Sequence, residues 1–265
     1  MLGSLSDAED MVQETFLRWE DTNHTTIHKP AAYLTTVVSR QCLDQLKSAR
    51  VQREQYIGPW LPEPLVDENT DYYSELSHDL SIAFLHTLEQ LTPLQRAVFL
   101  LHDIFNYTFK EVAHILDRKP AACRKTAQRA RQYLQKKQPV SLHAQDENQE
   151  KVKRFIDALQ ARDINQIEQM LARDAILYSD GGGKANAAPK PIHGATKIKQ
   201  FIESVSANIT DDISLHTVHI NSNPGLLVAR NGIPFYAWTF TLKDGCINRI
   251  YIVGNPDKLT HINNF

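Results

Sequence analysis

Arg124, Lys125, Gln128, Arg129 and Arg131 place long cationic and amide side chains within one short stretch. Interleaved with them, Cys123, Ala127, Ala130 and Leu134 recur at helical spacing. A helix of this kind can lie close to a neighbour on its small inner residues and hold its polar faces outward. Long cationic side chains grip phosphate, and Gln or Arg can pair with base edges in a major groove. Just upstream, Thr108-x-x-Glu111 fits a capping box for a short helix carrying Val112, Ala113 and Leu116, followed by a tight break at Asp117 to Pro120. Short capped helix, tight turn and basic second helix have the form of a helix-turn-helix that binds DNA. A solvated basic helix in a bundle is the alternative that composition alone leaves open.

Residues that could do other chemistry are sparse. Asp180, His193 and His219 are candidate acid/base groups, but an Asp before three glycines also suits a turn. Gly181-Gly182-Gly183-Lys184 lacks the spacing and the following Ser/Thr of a phosphate-binding loop. His216 and His219 fall on opposite faces of a strand, poor geometry for one metal. Cys42, Cys123 and Cys246 are far apart, with no C-x-x-C, and read as free thiols in a reducing cytoplasm. No catalytic residue, metal or cofactor is expected.

The 265 residues carry 29 Lys+Arg against 31 Asp+Glu, a formal net charge of -2. That near-neutrality is a cancellation. Residues 1–30 hold six acids against Arg18 and Lys29, residues 57–90 hold seven acids and no Lys or Arg, and residues 108–137 hold nine basic residues against Glu111 and Asp117. Segregation on this scale points to different partners for different segments. No apolar run approaches the ~18–20 residues of a membrane span, and no signal sequence opens the chain, so a cytoplasmic protein is expected.

The elements that must position these groups are helical up to about residue 137. Ser6-x-x-Glu9 predicts a capped first helix with Ala8, Val12, Phe16 and Trp19 on its apolar stripe, and Asp7, Glu9, Asp10 and Glu14 largely off it. Pro30 suits the start of a second helix with Leu34, Val38, Cys42, Leu46 and Ala49 inward. Gly58 to Pro64, with three prolines, reads as a linker. Thr92-Pro93-x-Gln95 opens a further helix carrying Leu94, Val98, Leu101 and Phe105. Beyond a polar bridge the pattern changes. Residues 149–172 read as amphipathic helix, 175–179 as strand and 198–205 as helix. Strands at 213–220, 226–229, 234–242 and 247–253 are punctuated by Asn223-Pro224-Gly225 and Asp244-Gly245. Helices followed by a strand-rich sheet argue an α+β domain.

Several stretches resemble the extracytoplasmic-function branch of the sigma-70 family. LGSLSDAEDMVQETFLRW (Leu2 to Trp19) and PAAYLTTVVSRQCLDQLKSAR (Pro30 to Arg50) are similar to sigma region 2. LTPLQRAVFLLHDIFNYTFKEVAHIL followed by KPAACRKTAQRARQYL is similar to region 4. FIDALQARDINQIEQMLARDAILYSDGGGK resembles the start of SnoaL-like domains, α+β cone barrels related to nuclear transport factor folds. A WLPEP-type linker, a DGGGK-type loop and a terminal NPDKL mark the sigma subgroup with such a domain at its C-terminus. By the same resemblance, the family's first helix of region 2 would precede the position of Met1. In the helix-turn-helix, Asp117 and Lys119 replace the usual turn Gly and capping Ser.

The resemblance implies a multidomain protein. All-α sigma region 2 would span 1–56, an acidic linker 57–79, the region 4 helix-turn-helix 80–137, a second linker 138–147 and a SnoaL-like regulatory domain 148–265. Its partners would be promoter DNA and core RNA polymerase, through the beta-prime clamp helices and the beta subunit, with no membrane. Asp10, Gln13, Glu14 and Phe16 would contact the clamp. Tyr33, Arg40, Lys47 and Arg50 would lie along the melted strand, where cations follow the backbone and aromatics stack on bases. Arg124, Lys125 and Gln128 would read the minus-thirty-five element, and Arg129 and Arg131 would hold phosphates. Trp60, Leu61 and Pro62, the Asp180, Gly181, Gly182, Gly183 and Lys184 loop, and Asn255, Pro256, Asp257, Lys258 and Leu259 would form a regulatory interface. Two other readings stay open: a one-component helix-turn-helix regulator sensing a small molecule in the cone, and a SnoaL-like enzyme.

Overall fold

The computed structural model describes residues 1–54, 56–66, 81–137, 145–221 and 223–263. The chain forms two compact units, Met1–Gln55 with His86–Val140, and Tyr56–Leu85 with Ser141–Phe265. Most of the linker expected over 57–79, so far as it is described, therefore belongs to the second unit. Residues 67–80 and 138–144 lie outside the described residues.

The first unit is helical. α1 (Leu5–Glu20) is capped by Ser4, whose hydroxyl accepts from the Asp7 amide at 3.3 Å, so the expected cap at Ser6 falls inside the first turn. Leu2 is buried against Cys42 and Leu46 of α2 (Pro30–Glu54), which fixes where the chain enters the helix. The apolar stripe of α1 is not its buried face. Thr15 faces inward, its hydroxyl 2.6 Å from Gln41 Oε1, while Val12, Phe16 and Leu17 are 48%, 57% and 57% exposed.

α3 (Ile82–Glu89), not foreseen as a separate helix, precedes α4 (Pro93–Phe99), which starts at the expected Thr92–Gln95 capping box. α4 continues as a π-turn over Leu100–Ile104, which breaks the i, i+4 register, so Phe105 leaves the inner face and is 55% exposed. Arg96 is buried in a bidentate pair with Glu89 (2.6 and 2.9 Å) and donates to the Met1 carbonyl at 2.7 Å. Burial lowers its guanidinium pKa to about 10, the expected response of a cation removed from water. α5 (Phe109–Ile115) carries the full Thr108–Glu111 capping box, and α6 (Pro120–Lys137) follows. Between them Asp117 takes φ 52°, the left-handed conformation that the usual turn glycine would supply.

In the second unit, the helix expected over 149–172 is two helices and the start of a strand. α7 (Gln145–Gln160) stops at Arg162, which has φ 55°, and α8 (Ile164–Met170) is capped by Asp163. A mixed sheet follows, built from β1 (Leu171–Asp180), β2 (Ile192–His193), β3 (Ile213–Ile220), β4 (Asn223–Arg230), β5 (Ile233–Lys243) and β6 (Cys246–Val253). Its order is β2-β1-β6-β5-β4-β3, and among the described residues only the β1–β6 pair is parallel. Asn223-Pro224-Gly225, expected as a turn, begins β4; the reversal falls earlier, where Asn221 takes φ 50°. α9 (Ala195–Ser206) lies between β2 and β3.

Strand alternation gives the sheet two apolar faces. One, with Leu226, Trp238, Phe240, Ile250 and Ile252, packs on Phe155, Ile156, Ile198 and Ile202 of α7 and α9. The other, with Ile220, Leu227, Ala237, Tyr251 and Val253, is covered by Leu61, Val66, Ile82 and Ala83 and by Leu259 and Ile262 of the C-terminal tail. A mixed sheet with helices on one face is the α+β architecture expected for this half of the chain.

Candidate nucleic-acid interface and linker clasp

Cys123 and Ala127 of α6 are buried against Ala97, Val98 and Leu101 of α4 and its π-turn and against Val112, Ala113 and Ile115 of α5, as their small size predicts, and Ala130 is buried as well. Arg124, Lys125, Gln128 and Arg129 are exposed on the same helix. Arg131 is half-buried, its Nε donating to Asp103 Oδ1 at 2.6 Å. Two faces of one helix are thus chemically separate, the inner fixing it and the outer presenting cations.

Region 2 residues are brought together more unevenly. Asp10, Gln13, Glu14 and Arg18 of α1 and Arg40 and Gln45 of α2 line an open groove of about 620 Å³. Phe16 stands on the exposed stripe beside it. Arg40 is exposed yet tied down: Nε donates to the Ile115 carbonyl at 2.8 Å and Nη2 to that of His114 at 3.3 Å, at the C-terminal end of α5, where carbonyls lack helical partners and favour a cation. The Tyr33 hydroxyl lies 2.9 Å from that of Thr22, and its ring is tilted against Trp19, itself stacked on His24 at 4.2 Å. Lys47 pairs with Asp44 at the surface. Arg50 lies on α2, its side chain outside the described residues.

In the second unit the residues quoted from three distant stretches meet at one carboxylate. Asp180, at the end of β1, is fully buried. Oδ1 accepts from the Tyr56 hydroxyl at 2.6 Å and the Gly182 amide at 3.1 Å; Oδ2 accepts from the Leu61 amide at 2.8 Å and Lys258 Nζ at 2.7 Å. The reading of Asp180 as a turn residue is therefore incomplete, because its side chain is the hub of a clasp. Lys258 also donates to the Leu61 carbonyl and sits over the Trp60 ring, 3.9 Å from its centroid. A buried ammonium is tolerable here because a carboxylate, a carbonyl and an aromatic face replace its water.

The glycines admit this arrangement. A Cβ on Gly181 would lie 2.4 Å from the Ala185 carbonyl oxygen, and one on Gly182, at φ +59°, would lie 2.4 Å from Asn255 Nδ2. Asn255 donates to the Tyr56 oxygen at 2.8 Å and caps the turn Pro256–Lys258 through the Asp257 amide. Lys184 pairs with Asp257 at 2.5 Å on the exposed rim. Pro62 and Leu259 are buried.

Four participants were not singled out in the sequence. Tyr56 and Asn221 carry no local motif; Asn221 accepts from the Leu65 amide at 3.1 Å, and its own amide donates to the Leu65 carbonyl at 2.7 Å. Val66 then bridges Ile220, and His261 Nε2 lies 2.7 Å from the Pro64 carbonyl. Residues 56–66 are thus stitched to the cone along their length.

Burial, and then the neighbouring Asp180 carboxylate, raise the Tyr56 phenol pKa well above its ordinary value. The folded state therefore favours the protonated phenol. This contribution is fully present below the unfolded value of about 10 and is lost as pH rises through the folded one. Linker protection from amide exchange should stay level through neutral pH and fall under alkaline conditions. In Tyr56→Phe that alkaline dependence should disappear; an unchanged alkaline profile would assign it to another group.

By fold and surface chemistry this is a helix-turn-helix protein whose central linker is bound by an α+β domain. Sigma-70 region 2 matches residues 1–51 and sigma-70 region 4 matches residues 81–134. The ECF RNA polymerase sigma factor SigJ of Mycobacterium tuberculosis is 36% identical over 98% of this chain and 88% of its own. The probable ECF sigma factor SigI of that organism is 31% identical over 64% of this chain and 60% of its own. A crystal structure of M. tuberculosis SigJ superposes with a TM-score of 0.78 at 33% identity, covering 97% of this chain and 91% of that one. The chain belongs to the extracytoplasmic-function RNA polymerase sigma factors.

Proposed function

We propose that this protein binds core RNA polymerase in the cytoplasm and directs it to specific promoters, with the C-terminal cone regulating that activity in cis. The family supports the first part, with Asp10, Gln13, Glu14 and Phe16 meeting the beta-prime clamp helices and Arg124, Lys125 and Gln128 reading the minus-thirty-five element. Arg40 would have to exchange the α5 carbonyls for DNA before it could join Tyr33, Lys47 and Arg50 on the melted strand. The observation that carries the regulatory part is the clasp on Asp180, since it binds residues 56–66, which connect the two promoter-reading regions in the sequence. The chemistry of initiation would be the polymerase's own, with no catalytic residue here.

Pull-down with core polymerase followed by run-off transcription tests this reading. Core binding with promoter-dependent transcripts is expected; DNA binding without core would favour a one-component regulator, and neither would overturn both. In the same assay Arg124→Ala should weaken promoter binding by about 1–3 kcal/mol if it pairs with a base edge. Wild-type affinity would remove Arg124 from the interface.

One observation favours an added ligand in the cone. The Trp238 indole N–H is buried on the helix-covered face of the sheet without a hydrogen-bond partner among the described residues. A largely apolar small molecule with one acceptor would satisfy it.

A further inference from the structure

Arg131 of α6 and Asp103 of the π-turn form an ion pair between residues 28 positions apart. Arg131 engages Asp103 through Nε alone, which leaves both terminal amino groups without a protein partner among the described residues, and its side chain is 43% exposed. Asp103 is more deeply placed, its side chain 19% exposed, and its Oδ2 is buried without a hydrogen-bond partner. A carboxylate left half-satisfied costs stability, so a fold that keeps one there requires a reason.

The π-turn provides the means. The Phe105 amide donates to Leu100 and that of Tyr107 to Leu101, both at 2.9 Å, and these wide turns add a residue to the helical register. Asp103 sits within the widened segment. On the residue's flank, His102 Nδ1 lies 2.7 Å from the Tyr107 carbonyl, and its ring packs on Phe109 at 3.8 Å. The turn is therefore pinned against α5 while Asp103 reaches α6. Such a guanidinium is held by its inner nitrogen and offers its planar outer edge, the fork that matches a phosphate.

We propose that Asp103 is a positioning residue for DNA binding, aiming Arg131 at a backbone phosphate. The inference rests on the reading of Arg131 as a phosphate contact. A free arginine on the same helix would sample many rotamers and lose that freedom on binding, whereas a held one has already lost it.

The test measures full-length protein on a fluorescently labelled mixed-sequence duplex across a salt series. A phosphate contact is sequence-independent, and its loss lowers the slope of log affinity against log salt by about 0.9. Arg131→Ala should weaken binding about five- to tenfold at low salt and reduce the slope by about one contact. Asp103→Ala should do the same, and the double variant should add little to either. Asp103→Asn, which keeps the shape, serves if the alanine variant unfolds, and should fall between. A purely structural Asp103 would lower the melting temperature and leave the salt slope unchanged, which overturns the proposal. Wild-type binding by Arg131→Ala would instead overturn the phosphate reading beneath it.

Discussion

Asp180→Ala is expected to release residues 56–66 from the cone at a cost of about 3–5 kcal/mol, the range for breaking a buried pair by removing one partner. The loss is large because both sides are dry: the Asp180 side chain is fully buried and that of Lys258 is 8% exposed. Without the carboxylate, the Lys258 ammonium loses its anionic partner and retains the Leu61 carbonyl and the Trp60 ring, while the Leu61 amide and Tyr56 hydroxyl lose their acceptor. Amide exchange at Leu61 and protease cleavage within 56–66 should both accelerate, and transcription from a cognate promoter should change. Wild-type protection at Leu61 would remove Asp180 as the hub, and unchanged transcription despite release would sink regulation by the clasp. Replacing both members by apolar residues of similar size should recover only part of the stability: no buried charge remains, but the Leu61 amide and Tyr56 hydroxyl still lack their acceptor.

Phe16→Ala carries the second large effect, and on a different observable. An exposed aromatic flanked by exposed Val12 and Leu17, with Asp10, Gln13 and Glu14 in the adjoining groove, has the make-up of an interface anchor with a polar rim. Loss of such an anchor costs about 2 kcal/mol of binding or more, roughly a thirtyfold weaker dissociation constant for core polymerase. Stability of the free protein should hold within about 0.5 kcal/mol, since the side chain touches solvent. Weak core binding with an unchanged melting temperature is the expected result. Unaltered core affinity would place the docking surface elsewhere.

The same residue shows what the sequence could and could not convey. Ala8, Val12, Phe16 and Trp19 have helical periodicity, which announces that a helix has an apolar stripe but not whether its own chain or another covers it. The protein buries Thr15 instead, because Gln41 supplies a side-chain partner from α2. In α6 the reading succeeded because small and cationic residues differ in size and charge together, so only one packing is available. In the cone, the strands were legible by alternation, but the break at Arg162 was not, since a positive φ at arginine leaves no signature in residue type. The three quoted motifs of the clasp were legible by resemblance alone. That Asp180 joins them is a tertiary fact: its donors at Tyr56, Leu61 and Lys258 are 124, 119 and 78 positions away.

The outer face of the sheet has a consequence for how the linker can respond. Leu61 and Val66 cover Ile220, Leu227 and Tyr251 there, beside the tail residues Leu259 and Ile262. Detaching the linker therefore wets an apolar surface as well as breaking the clasp, and the two costs fall due at the same moment. The segment should therefore melt with the cone as one cooperative unit, although by sequence it lies between the promoter-reading regions. Heat, or a ligand that tightens the cone, would thus be felt by a linker that the ligand itself need not touch, turning the folding stability of an accessory domain into an input to gene expression.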